Sequence, residues 1–386
     1  MKRSNNKTSI FKQIMSFVSI SVVLVMLSST NAIAVVVLPS TDTQQMHLNN
    51  GLLTATPEPE PVVAGVLVFS ENFDAQANWV GAAGGGVLSN PPTNWDAGYQ
   101  VEAWHPDTVP GSKPNMAINS EQAFSGKSFI TYSESEHHGS GWASDGIILK
   151  DIAPTARLYV KFKIKFQPGF AGDLDRGMIK IIRAGHFDGG TDANRFKFFG
   201  TGHTAPIYIF DWVQNSYGVR QQHAFRCDSQ EASYYCPGMV YNGASLSGGS
   251  DSSNFSEDLV RFNTILPDLV NGGNLPTSGI VSHNQVYGDV WHDIAFYLEL
   301  NSEPGLDDGK FRLWFDGQLI SGADNMPWIM NGGSMEAKWN FIGIGGNDYF
   351  HWDIVDGEFT ASKERWYSLD NLEIYNGMPE GVDYEL

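Results

Sequence analysis

Asn301-Ser-Glu-Pro-Gly-Leu-Asp-Asp-Gly-Lys-Phe-Arg-Leu-Trp-Phe-Asp-Gly-Gln-Leu-Ile320 is the stretch on which the fold turns. Pro304-Gly305 and Asp308-Gly309 mark turns, because proline pre-sets a turn φ and glycine accepts a positive one. Phe311, Leu313 and Phe315 then fall on one face of an extended segment, with Arg312 and Trp314 on the other. Asp316-Gly317 is a two-residue hairpin signal, and an apolar pair follows it. The segment before, Trp291 to Asn301, alternates too. His292, Ile294, Phe296, Leu298 and Leu300 face one way, and Asp293, Tyr297 and Glu299 the other.

The same period recurs along the chain. Leu158, Val160, Phe162, Ile164 and Phe166 share a face, opposite Tyr159, Lys161, Lys163 and Lys165, and Pro168-Gly169 ends the run. Further strands are predicted over 66–71, 128–133, 178–184, 195–199, 207–213, 339–344 and 367–375. One helix is predicted to start at Ser256, a residue suited to capping. Many alternating strands with glycine-rich turns predict an all-β fold, a two-sheet antiparallel jelly roll of the concanavalin A-like sandwich kind. Residues 214–290 are rich in Gly, Ser and Asn around the cysteine pair, and are expected to be an irregular insertion. It is either a wall beside a site or a surface insertion without a role.

Ahead of this domain, Lys2, Arg3, Lys7 and Lys12 precede an apolar run from Ile14 to Leu27 and a small-x-small site at Ala32-Ile-Ala34. The run is shorter than the ~20 residues of a spanning helix, so 1–34 reads as a cleaved signal peptide rather than a retained anchor. Residues 35–64 read as a spacer with a Pro-Glu run, and 65–386 as the jelly-roll domain. The expected location is secreted or periplasmic, with no stable membrane anchor after cleavage. The whole chain carries −19, and removing the four basic residues of 1–34 leaves −23. So acidic a surface argues against a nucleic-acid partner. Cys227 and Cys236, the two cysteines of an exported chain, are expected to form a disulfide.

Charge is unevenly placed. Residues 157–197 hold nine Lys and Arg against four Asp. Laid side by side in one sheet, these cations would make a basic groove for a polyanion; scattered, they merely solubilise strand faces. By parity Lys180 shares a face with Ile182 and Ala184, and Arg183 lies on the opposite one.

The order Trp-His, alternating strand, Leu-Asn, Pro-Gly, Asp-Gly, Arg-Leu-Trp-Phe-Asp-Gly resembles the late strands of concanavalin-like polysaccharide lyases that cut uronic-acid polymers. Lys180 falls where that resemblance places a lysine strand in the middle of the substrate-facing sheet. The implied activity is β-elimination on an anionic polysaccharide. It needs a cation against the uronate carboxylate, a base for the C5 proton and an acid for the leaving oxygen. Lys180, His186, Lys197 and Tyr208 are the catalytic candidates. Arg183, His203, Trp212 and Tyr297 are the substrate-binding ones. Tyr208, Phe210 and Trp212 share a strand face, which is either a set of sugar subsites or core. The alternative on the same scaffold is a non-catalytic carbohydrate-binding or surface protein.

Glu71 and Asp74 open the domain, and Asp370 stands near its close. The pairing of first and last strands resembles jelly rolls that share a structural calcium there, and carboxylates are suitable ligands. The other reading is that these groups cap turns. No organic cofactor is expected.

Overall fold

The computed structural model describes residues 64–81, 86–100, 114–133, 146–170, 177–187, 189, 196, 206–215, 218–226, 240–241, 244–245, 254–256, 287–326, 328–329, 333–346, 348–350, 354–355, 358–359 and 365–382. Contacts separate Met1–Pro61 from Val62–Leu386, and the architecture below is that of the second unit.

The strands are β1 (Leu67–Glu71), β2 (Trp79–Val80), β3 (Gly86–Val87), β4 (Ala97–Gln100), β5 (Met116–Asn119), β6 (Ser128–Ser133) and β7 (Gly146–Thr155). There follow β8 (Arg157–Phe166), β9 (Gly177–Gly185), β10 (Ile207–Asn215), β11 (Gly218–Arg226), β12 (Val240–Tyr241), β13 (Ala244–Ser245) and β14 (Asn254–Ser256). The rest are β15 (His292–Glu299), β16 (Gly309–Phe315), β17 (Gln318–Met326), β18 (Trp339–Gly346), β19 (Asp348–Phe350), β20 (Ile354–Val355), β21 (Glu358–Phe359) and β22 (Arg365–Tyr375). Two nine-stranded antiparallel sheets carry the fold. One runs β17-β16-β15-β8-β22-β6-β5-β2 with β1 beside β22, and is called the β8 sheet below. The other runs β14-β11-β10-β9-β18-β7-β4-β3 with β19 beside β9, and is called the β9 sheet. This is the two-sheet jelly-roll sandwich expected.

Its core follows from the alternation. Phe162, Ile164, Phe296, Leu298, Phe311 and Leu313 turn inward from the β8 sheet; Ile182, Tyr208, Phe210 and Ile344 meet them from the β9 sheet. Phe162 meets Phe210 edge-on at 5.6 Å, and Tyr208 packs on Phe296 at 4.7 Å. Each such fully buried large side chain contributes about 1.5–3 kcal/mol. The Asp316-Gly317 turn has φ of +50° and +77°. Positive φ at both central positions is the turn that matches strand twist in a two-residue hairpin. Asp316 also ties the turn to β15, accepting from the Asp293 N–H at 2.9 Å and pairing with His292 Nδ1 at 2.8 Å.

The unit closes on itself. β1 pairs with β22, Gly65 N–H donates to the Met378 carbonyl at 2.6 Å, and Val66 N–H donates to Asn376 Oδ1 at 2.8 Å.

Three expectations need correction or restriction. Residues 214–290 are not irregular throughout, because β11 pairs with β10 at nine positions and with β14. Its sequence, Gly-Val-Arg-Gln-Gln-His-Ala-Phe-Arg, has too few apolar residues to show the period. Ser256 ends strand β14 instead of capping a helix, and the rest of that predicted helix lies outside the described residues. Most of the strand predicted over 195–199 lies outside them too. The long strand β7 was not among the expected ones. Ile148 packs between the sheets while Ile147 and Leu149 pack on the outer face, so both faces are buried and the apolar run does not alternate.

Candidate active site on the outer face of the β9 sheet

β9 is flanked by β10 on one side and by β18 and β19 on the other. Its pairing with β10 slips by one residue: Phe210 opposes Ile182, yet Asp211 opposes Lys180. Ile181 is therefore the extra residue of a β-bulge. Ile179, Ile181, Ile182 and Ala184 all enter the core, which leaves Lys180 and Arg183 together on the outer face. The expected parity is corrected here. A regular strand would have put these two cations on opposite faces, and the bulge brings them to one. Both are well covered, at 4% and 2% exposure.

Neighbouring glycines make room for them. Arg183 opposes Gly343, and its Nη1 donates to the Gly345 carbonyl at 2.9 Å, so the guanidinium runs along β18. A Cβ on Gly343 would crowd Leu149 and Ile147, at 2.6 and 2.7 Å. Gly345 has φ of +90°, a conformation that disfavours any side chain. A Cβ on Gly346 would sit on the Lys180 carbonyl oxygen, nearer than any non-bonded approach. Beyond the glycines, Ala97, Ile147, Leu149 and Phe341 form an apolar outer layer, with Phe187 and Phe196 packed on it and Tyr99 stacked on Phe196 at 5.1 Å.

His186 follows the end of β9. Its Nδ1 lies 2.9 Å from the Lys338 carbonyl. A carbonyl can only accept, so Nδ1 donates, and in the neutral ring Nε2 keeps its lone pair. Next to it the Asn340 amide closes a two-way clamp on Phe187, accepting from its N–H at 2.8 Å and donating to its carbonyl at 2.7 Å. Six residues along a bulged strand separate His186 from Lys180, about 17–20 Å at strand rise. The two belong to different parts of the face and not to one reacting centre.

The other expected site residues scatter. Tyr208 is fully buried between the sheets against Phe296 and Phe311, which removes it from contact with a polymer. The core reading of its strand face is the correct one for Tyr208 and Phe210. Tyr297 lies on the outer face of the opposite sheet, buried with Tyr159 and Trp314 and donating to Glu299 at 2.6 Å. It is therefore no part of a site with Lys180. Trp212 is placed in β10 in register with Ile179. Lys197, His203, Cys227 and Cys236 lie outside the described residues.

The basic stretch divides between the sheets. Lys161, Lys163 and Lys165 stand on β8, whereas Lys180 and Arg183 stand on β9. Lys163 is neutralised by Asp293 at 2.9 Å. Among the described residues the stretch makes no single basic groove. The residues that sequence reasoning passed over are Asn340 and the run Gly343-Ile-Gly-Gly346. Alternating glycines in a strand are the legible signal there, since they mark a close approach on one face.

The three carboxylates proposed for calcium are each turned to other donors. Glu71 accepts from the Phe73 N–H and the Gln76 amide, Asp74 from the Lys127 N–H and Ser125, and Asp370 from Ser128 and the Asn371 N–H. Among the described residues no group of three or more His, Cys, Asp or Glu has metal-binding geometry. Burial pushes the Asp370 carboxyl up to about 6; the hydrogen bonds from Ser128 and Asn371 oppose the rise and the Asp74 charge adds to it. An unfolded aspartate titrates near ~3.9. The folded chain thus keeps a proton that the unfolded chain releases between about pH 4 and 6. Its stabilising contribution is complete below about pH 4 and is lost as the pH rises through 6. Relative to Asp370→Asn, the native protein should lose up to about 3 kcal/mol over that window. Thermal melts of both proteins from acid to neutral pH check this; parallel curves would contradict it.

No protein-family model matches the chain, and no curated protein matches it. Among solved structures it is similar to the alginate lyase Aly36B, at 13% identity over 82% of this chain and 98% of that one, with a TM-score of 0.41. A fungal endo-β-1,4-glucuronan lyase from Trichoderma reesei matches at 11% identity over 82% and 98%, TM-score 0.41. A marine alginate lyase from Aplysia kurodai matches at 11% identity over 80% and 98%, also at 0.41. Likenesses this distant assign no residue and no chemistry to the present chain.

Proposed function

We propose that the protein is a polysaccharide lyase that cleaves a uronic-acid-containing polymer by β-elimination, and that it acts outside the cytoplasm, as its expected leader implies. The observation that carries this reading is the co-facial pair Lys180 and Arg183 on the outer face of β9. Arg183 is held by the Gly345 carbonyl, and a planar guanidinium suits two-point recognition of a carboxylate. In the elimination a base takes the C5 proton, a C4=C5 double bond forms, and O4 leaves with a proton. Arg183 neutralises the carboxylate and the negative charge that builds on it. Lys180, about 7–10 Å further along the bulged strand, donates the proton to O4. Two further site candidates, Lys197 and His203, lie outside the described residues.

The test is absorbance at about 235 nm, the signature of an unsaturated uronate left by proton abstraction and O4 expulsion. It is followed on alginate, glucuronan, pectate and glycosaminoglycans. Absorbance should rise on at least one; a flat trace on all of them would overturn the reading.

One observation favours the second reading, a non-catalytic uronate-binding protein. Tyr208 is core and His186 stands far along the strand, so neither candidate for acid or base joins Lys180 among the described residues. Retention of the protein by an immobilised polyuronate without cleavage would select it.

A further inference from the structure

The outer face of the β8 sheet carries a depression of about 530 Å³, across the sandwich from Lys180 and Arg183. Its size is that of a small-ligand site. Tyr159 and Trp314 meet edge-on at 5.7 Å in its floor. Leu319 and Val382 give it apolar walls. Three charged side chains reach it: Lys161, Asp293 and Asp316.

The charges are unequally matched. Asp293 is paired with Lys163 through both oxygens, at 3.0 and 2.9 Å. Asp316 is bonded to His292 Nδ1 and to the Asp293 N–H. Lys161 has neither a carboxylate nor a hydrogen-bond acceptor among the described residues. In register it lies between Ala295 on β15 and Glu373 on β22, and Glu373 is taken by the Tyr375 hydroxyl at 2.9 Å. The Tyr159 hydroxyl likewise has no partner among the described residues. Burial, then the charges of Glu373, Tyr375 and Asp293, push its pKa up to about 12, so it remains a hydrogen-bond donor.

We infer that this depression is a second, non-catalytic site that binds one sugar-acid unit, with its carboxylate on Lys161. The carboxylates of Asp293 and Asp316, each already engaged by one partner side chain, keep further lone pairs for sugar hydroxyls. The apolar walls suit a C–H face of the ring. A neutral sugar would leave the ammonium unmatched, and an apolar ligand would also strand the carboxylates. A sugar acid answers all three features. The site uses none of the residues proposed for cleavage, so it stands or falls independently of that reading.

The experiment titrates the full-length protein with trimers of glucuronate and of mannuronate by calorimetry, with cellotriose as the neutral control. In the Lys180→Ala/Arg183→Ala protein one binding event should persist for at least one acidic trimer and be absent for cellotriose. Adding Lys161→Gln should weaken it by about tenfold or more, since a charge-assisted hydrogen bond is lost. Should the double variant fold poorly, Lys161→Gln alone should remove one of two binding events from the native protein. Lys161 is only half-buried, so this variant should fold. Binding unchanged by Lys161→Gln would overturn the proposal. So would cellotriose binding as well as the acidic trimers, or the absence of any Lys161-dependent event. Loss of 235 nm activity in the double variant with this binding intact would separate the two sites.

Discussion

Alanine at Lys180 or Arg183 is expected to lower the rate of polyuronate cleavage by on the order of 10²- to 10³-fold, the usual consequence of removing one preorganised charge from a transition state. The reason is geometric. Both side chains leave the same face of β9, and Arg183 is held by the Gly345 carbonyl. Arg183→Lys should recover little, because an ammonium cannot reproduce both the hold on Gly345 and a two-point grip on a carboxylate. The split between parameters separates the roles. Loss at Arg183 should appear in KM as well as kcat, since it binds the ground-state carboxylate too. Loss at Lys180 should fall mainly on kcat. Full activity in either alanine variant, on a polymer the native protein cuts, would remove that residue from the mechanism.

Gly346→Ala should be among the most damaging single changes in the chain. Its methyl would occupy the position of the Lys180 carbonyl oxygen. Relief requires β18 to move off β9, in the middle of a sheet whose inward side chains are buried. A loss of 4 kcal/mol or more is expected, the upper tail for point substitutions. Urea unfolding of the purified variant measures it. Gly317→Ala is the matching control: a Cβ there meets nothing within 4 Å, although φ is +77°, so its cost is backbone strain alone and should be on the order of 1 kcal/mol. Equal losses at the two positions would show that the close approach at Lys180 is not what requires glycine.

Much of the fold was legible because each clear strand sets charged or amphipathic residues, among them Lys161, Lys163, Asp293, Tyr297, Glu299, Arg312 and Trp314, opposite a face of mainly apolar ones. β8, β15 and β16 alternate, and the Asp-Gly turn between β16 and β17 announces itself. β7 was hidden by having both faces buried, and β11 by having few apolar residues. The site was half legible. Residue type pointed to Lys180 and Arg183, but their common face depends on a bulge between two identical neighbours, Ile181 and Ile182. Nothing in the sequence distinguishes the extra isoleucine from its partner. The division of the basic stretch was illegible for another reason. Which sheet a strand joins is decided by long-range pairing, here β8 with β22 and β15, and β9 with β10 and β18. Local composition carries no record of those partners.

The meeting of Gly65 with Met378 and of Val66 with Asn376 has a consequence for how such a unit can be combined with others. The first and last described strands of the unit lie side by side, β1 against β22, so the jelly roll is topologically a closed cassette. It can be spliced into a loop of a host protein without prising that loop apart, as units with adjacent ends generally can. Its own order of strands is equally open to rotation. Once the two ends are joined by a short link, the exposed turn around Asp307 can be cut to become the new start without disturbing a single rung of either sheet.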